Sequence, residues 1–352
     1  GKSFFTNELV AASLSTGARC WIIDVGRSYE KLCNALSGQF IAFTETADLC
    51  LNPFELVQRW EEEADVVTAL ITAMAAPTEP LGDYRTAGLK RILKTVWDRL
   101  GQQMSVDAIA ESLLAEPDAR LQDVGRQLFS FTSAGEYGRF FNGRNRISFT
   151  APLVVLELEE LKSRRHLQQV VLLLLIYQIQ QAMYLGERAQ PKLVVIDEAW
   201  DLLTNGDVGK FIESGYRRFR KSGGAAVTIT QSLADLYTHP VGRAIAENSA
   251  NSFLLAQPSQ AIDQLAAEQR LPLPTGAVEL LKTVHTVPGA YSEICCLTSL
   301  GGGIGRLVVD PFRQLLYSTA PKDVAALERL REQGLGTVEA IKALIEERRH
   351  GG

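Results

Sequence analysis

Short apolar runs alternate with segments of helical spacing near both ends of the sequence. The first element with helical spacing is predicted at residues 4–14, and strands and further helices follow it. The main predicted strands lie at residues 20–25, 40–43, 153–156, 193–197 and 225–230. Strands that alternate with helices in this way are typical of a parallel sheet built from βαβ units. The pattern therefore predicts an α/β fold with a mostly parallel sheet.

Residues 56–145 differ from the segments on either side, because their apolar positions recur with helical spacing and no run indicates a strand. Pro77 and Pro117 interrupt this spacing, as expected of a residue that breaks helices. The predicted helices lie at residues 61–75, 85–100, 106–115 and 121–131. We interpret this stretch as an all-helical subdomain inserted into the α/β domain.

The remaining residues complete the predicted domain organisation. Residues 1–55 and 146–320 are expected to form the α/β domain, and residues 321–352 a charged helical tail. The second part of the α/β domain is predicted to contain helices at residues 167–185 and 208–221 and hairpin strands near 292–297 and 305–309. The glycine-rich stretch 301–305 precedes a strand, so we interpret it as a hairpin or a flexible loop.

The overall charge argues against a protein that coats DNA. The 352 residues carry a formal net charge of −5, and the sequence pI is about 5.6. Duplex binding depends on Lys and Arg side chains that meet phosphates, so an acidic chain is poorly suited to it as a main task. A local basic channel stays open as an alternative.

Cysteine usage and hydropathy predict a soluble, cytoplasmic protein or the soluble part of a larger one. The five cysteines include no C-x-x-C pair, which favours free thiols in a reducing compartment over disulfides or a metal site. The longest apolar run, residues 170–177, is too short to span a bilayer. No signal-peptide pattern opens the sequence.

The apolar strand at residues 193–197 delivers two adjacent carboxylates, Asp197 and Glu198, at its carboxyl end. Ligands of open α/β sheets bind at this end of the strands. In P-loop ATPases the first carboxylate of such a pair holds Mg²⁺, and the second orients and activates the attacking water. The structural alternative is a solvated turn in which Asp197 caps the next helix.

The opening tripeptide Gly1-Lys2-Ser3 matches the last three positions of G-x-x-x-x-G-K-[ST], and a helix is predicted directly after it. Lys2 would reach the β- and γ-phosphates of ATP, and Ser3 would bind Mg²⁺. A mobile terminus is the structural alternative, but the order of tripeptide and carboxylate strand favours a P-loop ATPase. Because the earlier glycines of the motif are not in the sequence, we expect a fragment of a longer polypeptide that hydrolyses ATP weakly.

A cluster of cations near residue 220 ends at the glycine pair 223–224. Its members include Arg217, Arg220 and Lys221. In ring-shaped ATPases such a cluster can meet the γ-phosphate held by the neighbouring subunit. The alternatives are complementation of the helix dipole at a helix C-terminus and binding to a phosphate backbone.

Two further strand ends carry polar residues that suit the same cleft. Gln231 follows the strand at 225–230 and could sense the γ-phosphate, or it could cap the helix that starts at Ser232. Asp24 and Arg27 lie at and just after the carboxyl end of the strand at 20–25, where they line the cleft or form ion pairs at the rim of the sheet. The four histidines show no metal-ligand spacing.

Taken together, these motifs resemble the conjugative type IV secretion ATPases, in their TraC-like branch. The resemblance covers nearly the whole chain, including the helical insertion. The segments that carry it are Gly1-Lys2-Ser3, Trp21-Ile22-Ile23-Asp24-Val25-Gly26-Arg27-Ser28-Tyr29, Asn52-Pro53-Phe54, Glu136-Tyr137-Gly138-Arg139-Phe140-Phe141-Asn142-Gly143, Val195-Ile196-Asp197-Glu198-Ala199-Trp200, Arg220-Lys221-Ser222-Gly223-Gly224 and Thr230-Gln231-Ser232.

The resemblance implies a RecA-like P-loop ATPase domain that uses ATP and Mg²⁺ to power pilus biogenesis and substrate transfer. It implies a homo-oligomer, a hexamer, at the cytoplasmic face of the inner membrane of a Gram-negative bacterium, held there by inner-membrane secretion subunits and a coupling protein. By motif, Gly1, Lys2 and Ser3 bind the phosphates, and Ser3 and Asp197 hold Mg²⁺. Glu198 becomes the catalytic carboxylate and Gln231 the sensor, whereas Arg217, Arg220 and Lys221 become candidates for contact between subunits.

Two other classes of function remain open from the sequence. A DNA-translocating coupling protein or a HerA/FtsK-like DNA pump shares the ATPase core, and stimulation of ATP hydrolysis by DNA would identify it. A non-catalytic docking scaffold would use the insertion and the charged tail for partner binding. The presence of Lys2, Asp197, Glu198 and Gln231 in one chain argues against the scaffold.

Overall fold

The computed structural model of the protein describes residues 1–44, 47–198, 219, 221–232, 240–268, 270 and 275–350. Most of the helix predicted at residues 208–221, including Arg217 and Arg220, lies outside these described residues.

A five-stranded sheet forms the centre of the fold, and every pairing in it is parallel. Its strands are β1 (Arg19–Asp24), β2 (Gln39–Ala42), β3 (Leu153–Glu157), β4 (Lys192–Asp197) and β5 (Gly224–Ile229), in the spatial order β2-β3-β1-β4-β5. The three central strands are buried along almost their whole length, which explains their continuous apolar runs. The predicted α/β class and parallel sheet are confirmed.

Helices cover both faces of this sheet. They are α1 (Lys2–Ser15), α2 (Glu30–Ala35), α3 (Trp60–Ala75), α4 (Asp83–Leu100), α5 (Val106–Leu114), α6 (Ala119–Gln127), α7 (Arg165–Leu185), α8 (Pro240–Asn248), α9 (Ser259–Ala267), α10 (Thr275–Lys282), α11 (Pro311–Tyr317), α12 (Pro321–Glu332) and α13 (Thr337–His350). Successive strand residues point to opposite faces, so Trp21 and Ile23 face the core with α3–α7, whereas Cys20 and Ile22 face α1, α2 and α11–α13.

The insertion predicted at residues 56–145 contains α3–α6 and short 3₁₀ turns, and no strand occurs in these residues, all of which are described. Ser105 and Asp118 cap α5 and α6 by accepting hydrogen bonds from backbone N–H groups of their first turns. The inserted all-helical part of the fold is therefore present. It shares one apolar core with α7 and one face of the sheet.

A second, antiparallel sheet contains β6 (Asn251–Leu254), β7 (Thr286–Val287), β8 (Tyr291–Thr298) and β9 (Gly301–Leu307). The predicted hairpin is present as β8 and β9, but β9 begins at Gly301 rather than Gly305. The alternative interpretation of 301–305 as a flexible loop is therefore wrong. The ladder with β8 is made by backbone groups, so residues without side chains pair in it.

The tail predicted as one helical segment divides into α12 and α13. Gly334 lies between them with φ +92°, a backbone conformation that ends a helix readily when the residue is Gly. Leu327, Ile341 and Leu344 of these helices lie in the same core as β1. The division of the chain into domains at residues 55, 145 and 320 stays a prediction.

Candidate active site

Three neighbouring strands end in carboxylates at one edge of the parallel sheet. Asp24 ends β1 and pairs in register with Glu157, the last residue of β3, and Asp197 ends β4 on the other side of β1. All three residues are buried. Because parallel strands present their carboxyl ends at a common edge, the fold gathers negative charge where α/β proteins bind ligands.

Asp197 is held by one hydrogen bond and keeps one oxygen available. The hydroxyl of Tyr29 donates to Oδ2 of Asp197 over 2.6 Å. Oδ1 is buried and accepts no hydrogen bond from any side chain or backbone group in the described part of the chain. Burial raises the pKa of the Asp197 carboxyl, and the neighbouring Glu198 charge raises it further. A buried carboxylate oxygen of this kind suits a cation or a water bound to one.

Glu198 lies where Lys2 and Gln231 converge. The Nζ of Lys2 is 3.8 Å from Oε1 of Glu198, and Nε2 of Gln231 donates to the same oxygen over 3.1 Å. Glu198 has φ +55°, a left-handed conformation that is uncommon for a residue with a side chain and is enriched at active sites. The structure thus brings together three residues that sequence reasoning selected from positions 2, 198 and 231.

Helix α1 begins at Lys2, with Gly1 as its N-cap residue and Ser3 in its first turn. The N-terminus of a helix offers free N–H groups and a partial positive charge, which together favour phosphate. The side-chain amide of Asn7 donates to the backbone oxygen of Ser3 over 2.7 Å and to that of Ser28 over 3.3 Å. These bonds connect the first turn of α1 to the segment that follows β1.

The segment after β1 is built around Asp24 and Glu157. The N–H of Ser28 donates to Oδ2 of Asp24 over 2.6 Å, and the N–H of Arg27 donates to Glu157 over 2.7 Å. Burial, followed by the charges of Glu157 and Asp197, raises the pKa of Asp24 to about 8. Burial also raises the pKa of Glu157.

In the described part of the chain, neither Arg27 nor Lys221 makes an ion pair or a hydrogen bond with Glu198. The Arg27 guanidinium pairs with Glu30 at 3.1 Å and also with Glu160, the arrangement expected for ion pairs at the rim of the sheet. Lys221 is exposed two residues before Gly223. The other two cations predicted to act between subunits, Arg217 and Arg220, lie outside the described residues.

Sequence reasoning gave no role to two residues that the structure places in the site. Glu157 directly follows the apolar run 153–156, so the signal that selected Asp24 and Asp197 could also have selected it. Tyr29 was part of a quoted motif, but its contact with Asp197 spans 168 positions and depends on the packing of the sheet.

A parallel sheet whose carboxyl edge meets the Gly1-Lys2-Ser3 start of a helix defines a P-loop nucleotide-binding domain of the RecA-like kind. The family model of the TraG P-loop domain matches residues 1–109 and 89–347. The chain therefore belongs to the TraG P-loop domain family, and the predicted resemblance to TraC-like secretion ATPases is confirmed.

A curated relative agrees with this assignment, and solved structures share the fold. The chain is 29% identical over 361 aligned residues to protein TraC of Escherichia coli strain K12, covering 97% of this chain and 41% of TraC. The fold is similar to that of VirB4 of Thermoanaerobacter pseudethanolicus, with a TM-score of 0.71, 18% identity and coverage of 92% and 88% of the two chains. It is also similar to that of the plasmid coupling protein TrwB in complex with ADPNP, with a TM-score of 0.59, 12% identity and coverage of 88% and 82%.

Among the described helices, none has the length and hydropathy that a membrane span requires. The described residues also contain no group of three or more His, Cys, Asp and Glu side chains placed to hold a metal ion by themselves. A metal at Asp197 would therefore need further ligands, and the hydroxyl of Ser3, water and nucleotide phosphates are of the required oxygen type.

Proposed function

We propose that the chain is the motor domain of a conjugative type IV secretion ATPase, which hydrolyses ATP to power pilus biogenesis and substrate transfer. The observation that carries the proposal is the convergence of Lys2 and Gln231 on Glu198 beside Asp197. The similarity to TraC supports the biological setting. Because the chain spans 41% of TraC, the activity of the whole protein is part of this proposal.

Each residue of the site has a task that its position supports. Lys2 and the N–H groups at the start of α1 bind the β- and γ-phosphates, with Gly1 allowing close approach of the backbone. Glu198 orients the attacking water and accepts its proton, and the Gln231 amide holds the Glu198 carboxylate and meets the γ-phosphate. Lys2 is released from Glu198 when phosphate charge competes for it.

The site fits Mg²⁺ as a cofactor. Ser3 and Asp197 would hold the ion, since Asp197 Oδ1 is a buried acceptor with no hydrogen bond from the described residues. A nearby divalent cation favours the ionised carboxylate, which offsets the effect of burial on the pKa of Asp197. Bound Mg²⁺ supplies neutralisation of phosphate charge. The solved structures of TrwB with ADPNP and with ADP and Mg²⁺ support the same ligands for a protein of this fold.

Assembly completes the proposed motor. Arg217, Arg220 and Lys221 contact the γ-phosphate bound by the neighbouring subunit of a homo-oligomer, a hexamer. The oligomer lies in the cytoplasm at the inner membrane of a Gram-negative bacterium, where inner-membrane secretion subunits and a coupling protein hold it. Residues 1–55 and 146–320 form the ATPase domain, 56–145 its insertion and 321–352 its tail. Weak hydrolysis by the chain alone stays a prediction.

Steady-state ATP hydrolysis by the full-length protein, with and without duplex DNA, tests the proposed class of motor. We expect turnover that DNA leaves unchanged, since the chain has a net charge of −5 and duplex binding requires many cations. Strong stimulation by DNA would favour a DNA-translocating coupling protein instead. A folded oligomer with no turnover would favour a docking scaffold.

A further inference from the structure

Tyr29 is a fully buried residue that joins two parts of the site. It lies directly before α2, and its side chain is 0% exposed. Its hydroxyl donates to Oδ2 of Asp197 over 2.6 Å, so a residue from the segment after β1 reaches the end of β4. Among the described side chains, Tyr29 is the one that donates a hydrogen bond to the Asp197 carboxylate, and this bond orients the carboxylate.

Helix α1 holds Tyr29 from the other side. The buried side chain of Asn7 donates from its amide to the backbone oxygen of Ser28, the residue before Tyr29, over 3.3 Å. Asn7 belongs to the helix whose first turn contains Lys2 and Ser3. Tyr29 is therefore placed between the phosphate-binding end of α1 and the carboxylate of Asp197.

The Tyr29 phenol is the donor of this hydrogen bond, because its O–H faces a carboxylate oxygen of Asp197 that accepts it. Since the phenol occupies Oδ2, rotation of the Asp197 carboxylate is restricted and Oδ1 stays directed away from Tyr29. A metal-binding carboxylate is commonly oriented by such a partner.

We propose that Tyr29 is a positioning residue that fixes the Asp197 carboxylate for the metal of the metal–nucleotide complex. The inference rests on the proposed function, because it requires Mg²⁺ at Asp197. A merely structural Tyr29 would fill space in the core, where it contacts the cluster on the α1 face of the sheet. The two roles differ in their response to removal of the hydroxyl alone.

The test compares Tyr29→Phe with Tyr317→Phe in the full-length protein. Tyr317 is also buried, and its hydroxyl donates to Glu8 over 2.8 Å, so the same chemical change is made away from Asp197. Mn²⁺ is the probe, and its affinity is measured by electron paramagnetic resonance with ADPNP at saturation. We expect Tyr29→Phe to weaken Mn²⁺ binding about tenfold, the low end of the effect of losing a partner of a metal ligand.

Three further readouts make the result specific. The affinity for ADPNP without metal should stay within about twofold of the wild-type value in both variants, because Tyr29 acts through the metal ligand. The Mg²⁺ concentration that gives half-maximal ATP hydrolysis should rise in Tyr29→Phe alone. Asn7→Ala, which removes the hydrogen bond to Ser28 beside Tyr29, should weaken Mn²⁺ binding in the same direction and covers the case in which Tyr29→Phe fails to fold.

Equal Mn²⁺ affinity in wild type and Tyr29→Phe would overturn the positioning role and leave the proposed function intact. Equal weakening of ADPNP binding with and without metal would also overturn it, because Tyr29 would then shape the nucleotide pocket. A wild-type protein that binds no Mn²⁺ in the presence of ADPNP would overturn both the inference and the proposed function.

Discussion

Two residues at the carboxyl edge of the sheet, Glu198 and Asp24, are held in energetically unfavourable states. Glu198 adopts φ +55° directly after β4, and its carboxylate meets the Lys2 ammonium and the Gln231 amide. A left-handed backbone at a residue with a side chain costs on the order of 1 kcal/mol, so surrounding contacts must compensate for it. Asp24, at the same edge of the sheet, is unfavourable in its charged form, because it is buried beside the carboxyl groups of Glu157 and Asp197.

The raised pKa of Asp24 predicts a pH-dependent stability. The pKa of the Asp24 carboxyl is about 8 in the folded chain and near 4, its ordinary value, in the unfolded chain. Between about pH 4 and pH 8 the folded chain therefore keeps a proton that the unfolded chain has released, so the free energy of unfolding falls as the pH rises through this range. Asp24→Asn removes the titrating carboxyl and with it this pH-dependent loss of stability, while the amide oxygen can still accept the hydrogen bond from the Ser28 N–H. Relative to wild type, its free energy of unfolding should rise by about 1–3 kcal/mol between pH 5 and pH 8.

Urea unfolding at both pH values measures this difference. Asp98→Asn is the control, because Asp98 is exposed on α4 and pairs only with Lys94 among the described residues. A difference between Asp24→Asn and wild type that does not change with pH would show that Asp24 titrates in its ordinary range.

At the scale of elements, α3 of the insertion is fixed to α7 through a buried glutamate. Oε1 of Glu63 accepts from the N–H groups of Gln58 and Arg59 at the start of α3, over 2.8 and 3.0 Å. Oε2 accepts from the Tyr177 hydroxyl and from the Gln181 amide of α7. The Glu63 side chain thereby caps the first turn of α3 and connects this helix of the insertion to α7, which covers the sheet.

Glu63→Ala should therefore lower the free energy of unfolding by about 2–3 kcal/mol, because buried donors lose a charged acceptor. Glu62→Ala is the matched control, since Glu62 is exposed and pairs with Arg59 on the surface, where such a pair contributes at most about 1 kcal/mol. Urea unfolding followed by circular dichroism compares the two variants. A similar small loss in both would mean that α3 is held by its apolar contacts alone.

Local patterns predicted the elements well and long-range contacts poorly. The apolar runs placed β1, β3 and β4 within one residue of their observed bounds, because buried parallel strands are continuously apolar. The pattern missed the division between α12 and α13 at Gly334, where charged residues on both sides have helical spacing. The Tyr29–Asp197 hydrogen bond left no local signal, since its two residues meet only after the sheet forms.

At the scale of the whole molecule, the proposed contact between subunits involves both ends of β5. Lys221 is exposed and precedes β5, whereas Gln231 follows β5, so these two residues lie at opposite ends of one strand. Arg217 and Arg220, the other cations of the proposal, lie outside the described residues. An oligomer in which these cations complete the neighbour's site would need every subunit to supply both Glu198 and the cluster.

Mixed oligomers test this arrangement. Glu198→Gln and the triple variant Arg217→Ala, Arg220→Ala, Lys221→Ala should each be inactive alone in the full-length protein. In a random equal mixture, about one interface in four combines an intact Glu198 with an intact cluster from the neighbour, so ATP hydrolysis should return to a corresponding fraction. A mixture as inactive as its components would place the cations in the same subunit as Glu198 or outside the reaction.

The central claim is that Lys2 and Glu198 act on the same bound nucleotide. Lys2 contributes to its binding, and Glu198 contributes to its turnover. The most direct test measures MgATP affinity and ATP turnover in the full-length protein for Lys2→Ala and Glu198→Gln. Lys322→Ala and Glu328→Gln serve as controls, because both residues are exposed on α12.

Lys2→Ala should lose MgATP binding, whereas Glu198→Gln should retain binding and lose turnover by at least about a hundredfold, as expected when a general base is removed. The two controls should match wild type in both measurements. Turnover that persists in Glu198→Gln, with binding intact in Lys2→Ala, would contradict the assignment of this edge of the sheet as the active site.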